Sequence, residues 1–237
     1  MLNAGAQAVT AAQERARLEY ELARGLRPSD VVVYDGVNEV YVGVYRGTPG
    51  GNMGEGEPRH PVKDVLRKLL PLNIRRRLQD AALEHRAWIT PPHLSDPAAV
   101  AALAERTAQG YLVEIRRMQA LAEQYGFTLH VLLAPCSVFG EYQHPGADLA
   151  QVEKHEQTQP KVRVAFAAGY PRIQEAAQKL AAEGVDVHDL TQILVGKTQD
   201  VFIDMWHLNS IGCGVIADAM AAVLRRDPAA LDRARAH

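Results

Sequence analysis

Val31-Val32-Val33-Tyr34-Asp35-Gly36-Val37-Asn38-Glu39 is the stretch on which the fold turns. Four consecutive apolar residues, three of them β-branched, do not alternate with polar ones. That is the pattern of a parallel strand covered on both faces. At its carboxyl end the chain changes abruptly to Asp, Gly, Asn and Glu. In open α/β sheets, ligands collect just outside the carboxyl ends of the strands. Gly36 and Asn38 also suit an ordinary turn, since both tolerate unusual backbone angles.

Working outward, the same alternation of strand and helix recurs. Upstream, Thr10-Ala11-Ala12-Gln13 has the form of a capping box, and the helix it opens ends at Gly25 with Pro28 barring continuation. Downstream, Ser95-Asp96-Pro97 is a helix start, and apolar residues at Val100, Leu103, Ala104, Leu112, Ile115 and Met118 carry the helix to Tyr125. Gly126 closes it. Phe127 to Ala134 is a second strand, with Pro135-Cys136-Ser137 at its carboxyl end and His130 inside it as a satisfied core histidine. A polar connection or short helix covers Gly140 to Pro160. A helix broken or kinked at Pro171 runs to Glu183, and Val185 to Leu190 makes a third strand. The last helix carries Val215, Ile216, Ala219, Met220 and Val223. This βαβαβα order predicts one α/β domain over residues 1–237 with a right-handed parallel sheet.

Composition narrows the function classes. The chain has 237 residues, 47% hydrophobic and 23% charged, enough for one large domain with a substantial core. A net charge of −2 gives no basic field for nucleic acid. The two cysteines, Cys136 and Cys213, form neither a metal-binding CxxC nor a disulfide framework. No apolar run reaches membrane-spanning length. The Gly- and Pro-rich stretch from Arg46 to Pro61 reads as an exposed loop or lid. Val62 to Leu70 has helical spacing, and Arg75-Arg76-Arg77 with Lys63, Arg67 and Lys68 reads as a solvated basic face rather than an anion site.

Chemistry concentrates in Val201-Phe202-Ile203-Asp204-Met205-Trp206-His207-Leu208-Asn209. An Asp and a His three residues apart in a turn share one side of the backbone. The carboxylate then steadies one imidazole nitrogen while the other points outward as a base, two-thirds of a catalytic triad. Nine histidines without an HxH or HxxxH pair do not support metal catalysis, so no metal and no cofactor is expected.

Three blocks in order, Asn3-Ala4-Gly5 with Thr10, Asp35-Gly36-Val37-Asn38-Glu39, and Asp204-Met205-Trp206-His207 before a final helix, resemble the SGNH (GDSL-type) hydrolases. The similarity spans the whole chain, with a variable insertion at about 46–110. It implies a flavodoxin-like, three-layer α/β/α fold with a parallel sheet, and hydrolysis of a small-molecule, carbohydrate or lipid ester through an acyl-serine. By the same resemblance His207 is the general base and Asp204 its orienting partner. Asn38 is the oxyanion donor, with Gly36 in the same block and Ala8 where the family has its oxyanion-loop glycine. The family's Gly-Asp-Ser block has no counterpart among Ser29, Ser95, Ser137 or Ser210; Ser137 reads as a pocket residue. The resemblance therefore predicts a sequence lacking its first strand, with the nucleophile upstream of Asn3 and the chain inactive as it stands. A non-catalytic binding protein and an O-acyltransferase using the same pair are the alternatives.

Overall fold

The computed structural model describes residues 9–51, 91–139, 142 and 146–231. Ala8, Asn3-Ala4-Gly5 of the first block, most of the Gly- and Pro-rich stretch before Pro61, the helical spacing at Val62 to Leu70 and the basic cluster at Arg75 to Arg77 lie outside them.

Helix α1 (Ala11–Ala23) begins at Thr10, where half of the capping box is realised: the Thr10 N–H donates to Gln13 Oε1 at 3.0 Å. The Thr10 hydroxyl instead donates to the Gly51 carbonyl at 3.2 Å, and the Ala11 N–H is taken by Glu39 Oε1 at 2.6 Å. A carboxylate thus sits at the positive end of the α1 dipole. Strand β1 (Asp30–Asp35) follows, then α2 (Val37–Val40), which continues as a π-helical turn over Tyr41–Tyr45. A 3-10 turn at Pro92–Ser95 leads into α3 (Pro97–Tyr125), capped by Asp96 Oδ1 accepting from the Ala98 N–H at 2.9 Å. Gly126, at φ 76°, terminates it in the left-handed conformation. Strand β2 (Thr128–Leu133), α4 (Gly146–Thr158), α5 (Val162–Ala182), β3 (Asp186–Asp189) and α6 (Ser210–Leu224) complete the described elements. The span Pro97 to Gly110, within the expected insertion, is the first half of α3.

The sheet is parallel, in the order β1-β2-β3, with Val33 beside Val131 and Val131 beside Val187. Among the described residues the outer edge of β1 has no strand partner. Both faces are covered, and the strand residues sort between them with a period of two. Val33, Leu129, Val131 and Leu133 join a core with α1, α3 and α5 that includes Ile115, Met118, Phe166 and Tyr170. Val32, Tyr34 and Leu132 face the other way, onto Leu190, Ile193, Phe202 and the α6 residues Ile216, Ala219 and Val223. The chain is therefore a mixed α/β protein with a small open parallel sheet between helical layers.

Of the two outcomes expected at Pro171, a break or a kink, the break does not occur: the helix preceding β3 is continuous from Val162 to Ala182. Proline removes one backbone hydrogen bond and crowds the preceding turn, costing about 3 kcal/mol in a helix interior. Here the flanking Phe166, Tyr170 and Ile173 are fully buried, and that burial holds the helix together across the defect.

Among the described residues no helix is long and apolar enough to cross a membrane.

Candidate functional site

The stretch singled out near the carboxyl terminus folds as a miniature hairpin. Phe202 bridges Leu208 in antiparallel fashion, the Ile203 N–H donates to the His207 carbonyl at 2.7 Å, and the Asn209 N–H donates to the Val201 carbonyl at 2.9 Å. Asp204 organises the tip. Its Oδ1 accepts from the backbone N–H groups of Trp206 at 3.0 Å and His207 at 2.8 Å, a local turn of the kind short acidic side chains favour. Its Oδ2 lies 2.7 Å from His207 Nδ1.

That arrangement fixes the imidazole tautomer. Half-burial pushes the Asp204 carboxyl up, but the His207 side chain and the two backbone N–H groups outweigh it, and the net shift is downward. An ionised carboxylate only accepts, so Nδ1 carries the hydrogen and Nε2 presents its lone pair. The His207 side chain is 68% exposed against 20% for Asp204, so this lone pair faces outward from a sheltered anchor.

Four clamps hold the hairpin. Met205 is fully buried, and its carbonyl accepts both the N–H and the hydroxyl of Ser137, each at 2.8 Å. Trp206 stacks on Phe166 with ring centroids 5.8 Å apart and packs obliquely on Tyr41 at 5.2 Å. Buried Asp148, from α4, accepts the Val201 N–H at 3.1 Å. Asn209 caps α6 through Oδ1, which accepts from Ile211 and Gly212, while its Nδ2 donates to the Asp200 carbonyl at 2.6 Å. Gly212 fits because it has no side chain: a Cβ there would lie 2.4 Å from the Val201 carbonyl oxygen.

Gly36 and Asn38 occupy the carboxyl end of β1. Gly36 has φ 116°, open to glycine at no steric cost, and its N–H is shared between Asp35 Oδ1 at 2.7 Å and Glu39 Oε2 at 3.2 Å. Asn38 lies in the first turn of α2, its Nδ2 donating to the Val9 carbonyl at 2.8 Å. Tyr41 is three residues further on, on the same helical side, and touches Trp206. The Asn38 turn and the Asp204–His207 turn therefore meet along one edge of the sheet.

Ser137 is 3% exposed, with its hydroxyl donated to Met205, and it acts as a clamp on the hairpin. Among the described residues no hydroxyl is hydrogen-bonded to His207 Nε2.

Two groups carry little signal in the sequence. Behind Gly36 lie the acids Glu14, Asp35 and Glu39. Burial, and then the neighbouring Glu39 and Glu14, raise the Asp35 carboxyl well above the usual carboxylate range. Burial and then Glu39 push Glu14 up to about 8. Asp35 Oδ2, Glu14 Oε2 and the Tyr111 hydroxyl are buried without hydrogen-bond partners. The second group, His130, Asp186 and His188, brings three potential metal ligands together at the opposite end of the sheet.

No protein-family model matches this chain, and no curated protein matches it significantly. Fold and site together define an α/β protein carrying an oriented, outward-facing imidazole base at the carboxyl edge of a parallel sheet.

Proposed function

We propose that the chain is a serine-type ester or acyl hydrolase of the SGNH (GDSL-type) kind. The observation that carries this reading is the Asp204 Oδ2 to His207 Nδ1 contact of 2.7 Å, with Nε2 left facing outward. In the reaction His207 Nε2 takes the proton of a serine hydroxyl as its oxygen attacks the ester carbonyl. Asp204 stabilises the imidazolium. The tetrahedral oxyanion is held by a side-chain N–H of Asn38, whose amide has two donors, one of them engaged with Val9. On collapse the imidazolium returns its proton to the leaving alcohol. Water then releases the acyl group by the same route.

The serine belongs to a Gly-Asp-Ser turn that this sequence does not contain. In a flavodoxin-like sheet that turn follows the central first strand, and the outer edge of β1, unpartnered among the described residues, is where such a strand would pair. The substrate class is a small-molecule, carbohydrate or lipid ester. A non-catalytic binding protein is the second reading, favoured by the lack of a hydroxyl at His207 Nε2 among the described residues.

With a Gly-Asp-Ser segment added upstream, p-nitrophenyl acetate hydrolysis is expected, falling by orders of magnitude in His207→Ala. Activity that survives the substitution overturns the base assignment. The present chain is expected to take no fluorophosphonate label; a labelled serine within it overturns the upstream nucleophile.

A further inference from the structure

At the amino end of the sheet, the parallel register places His130 of β2 beside Asp186 of β3 and Val32 of β1. Side chains two apart on a strand share a face, so Asp30, His130, Asp186 and His188 all turn toward α6. His130 is 1% exposed and lies between two carboxylates, with Nε2 3.1 Å from Asp30 Oδ1 and Nδ1 2.5 Å from Asp186 Oδ2. His188 Nε2 approaches Asp186 Oδ1 to 2.9 Å, yet this buried nitrogen makes no hydrogen bond among the described residues. The group opens on a cavity of about 390 Å³ bordered by Ala222 and Val223 of α6 and by Arg226 beyond it.

A neutral imidazole has one donor nitrogen and one lone pair. With Nε2–H directed at Asp30, the Nδ1 lone pair meets a carboxylate oxygen, and two electron-rich atoms at that distance require a positive centre between them. A proton satisfies that requirement but leaves His188 Nε2 without a partner. A cation satisfies all three. The Asp30 to His130 contact is also the carboxylate–imidazole arrangement that orients metal-bound histidines.

We propose that His130 Nδ1, Asp186 and His188 Nε2 form a binding site for zinc or a similar divalent transition-metal ion. Two imidazoles and one carboxylate suit that class, whereas calcium and magnesium prefer all-oxygen sets. The three ligand atoms lie within 4.8 Å of one another. Zinc bond lengths of about 2.0–2.2 Å imply tetrahedral ligand separations of roughly 3.3 Å. The Asp186 side chain, 43% exposed, has room to swing from its present shorter contacts to that spacing. The fourth position faces the cavity. The 15 residues of α6, about 22 Å of helix, separate this end of the sheet from the hairpin bearing His207. The ion would tie the amino-terminal halves of β2 and β3 together, independently of any hydrolase activity.

The test titrates the chelator-stripped full chain with Zn²⁺ while recording histidine-selective NMR spectra. One ion per chain should bind, moving the His130 and His188 resonances and not those of His207. Asp186→Asn and His188→Ala should each weaken binding at least tenfold, with His207→Ala unchanged. His188→Gln serves if His188→Ala does not fold, and the wild-type spectra decide the matter without any variant. No stoichiometric binding, binding unaltered without His188, or a shift confined to His207 overturns the site.

Discussion

Ser137 and Met205 are joined twice: the Met205 carbonyl accepts both the backbone N–H and the side-chain hydroxyl of Ser137, each at 2.8 Å. The segment leaving β2 thereby fixes the tip of the hairpin carrying Asp204 and His207, 68 residues further along the chain. A hydroxyl so engaged is a support. Ser137→Ala should cost about 1 kcal/mol in denaturant unfolding. In a chain extended with a Gly-Asp-Ser segment, ester hydrolysis, if the proposed reading holds, should remain within a few-fold of the extended parent. A complete loss of turnover in a folded Ser137→Ala protein would make Ser137 the nucleophile.

Asp204→Asn tests the tautomer directly. An amide at this position can present its N–H₂ to Nδ1, moving the ring hydrogen to Nε2 and hiding the lone pair. In the proposed hydrolase, turnover of the chain extended with Gly-Asp-Ser should fall roughly 10⁴-fold, the size of this effect in serine triads. Stability should change much less, because the turn is held by other clamps. Steady-state kinetics beside thermal melts separate the two.

The acids behind Gly36 predict an unusual pH response. Glu14 is raised from 4.5 to about 8, and Asp35 moves in the same direction. The folded state therefore binds more protons than the unfolded one between those values, and stability falls as pH rises through that window. A displacement of one pH unit is about 1.4 kcal/mol, or roughly 3–6 °C in melting temperature for a domain of this size. Melting temperature should thus be lower at pH 8 than at pH 5, and Glu14→Gln should flatten the slope. A melting temperature that rises over this range contradicts the assignment.

Asn209→Ala removes an N-cap whose Oδ1 accepts two α6 backbone N–H groups and whose amide reaches the Asp200 carbonyl. A loss of about 1–2 kcal/mol is expected. The urea midpoint should drop with an unchanged slope, since the surface exposed on unfolding stays the same.

Much of the architecture was legible because it is written in local signals. The valine run gave β1, Asp96-Pro97 and Gly126 bracketed α3, and the spacing of Asp204 and His207 foretold their contact. Elements set by distant partners were not. Gly36 and Asn38 suit an ordinary turn, yet Asn38 lies in a helix that runs on to Tyr45, where Val40, Val42 and Val44 are buried in the core. Pro171 reads as a break or a kink, and burial of its neighbours keeps the helix unbroken. Glu39 belongs to the polar block after β1, and nothing local shows that its carboxylate bridges the start of α1 and the end of β1. His130 was legible as a satisfied core residue; its partners Asp30 and Asp186 lie 100 and 56 residues away, beyond any local pattern. The alternation of Asp186 and His188 on a strand was the one available clue to that cluster.

The contact between Gly212 and the Val201 carbonyl bears on how substitutions in this chain would be classified. Any side chain at Gly212 pushes on the root of the hairpin and displaces His207 without touching a reacting atom. Under the proposed hydrolase reading, a saturation-mutagenesis map scored by turnover would rank Gly212 beside His207. Scored by protein abundance the two would part, Gly212 failing and His207 passing. The paired readout would then separate the proposed base from a residue whose role is to leave room.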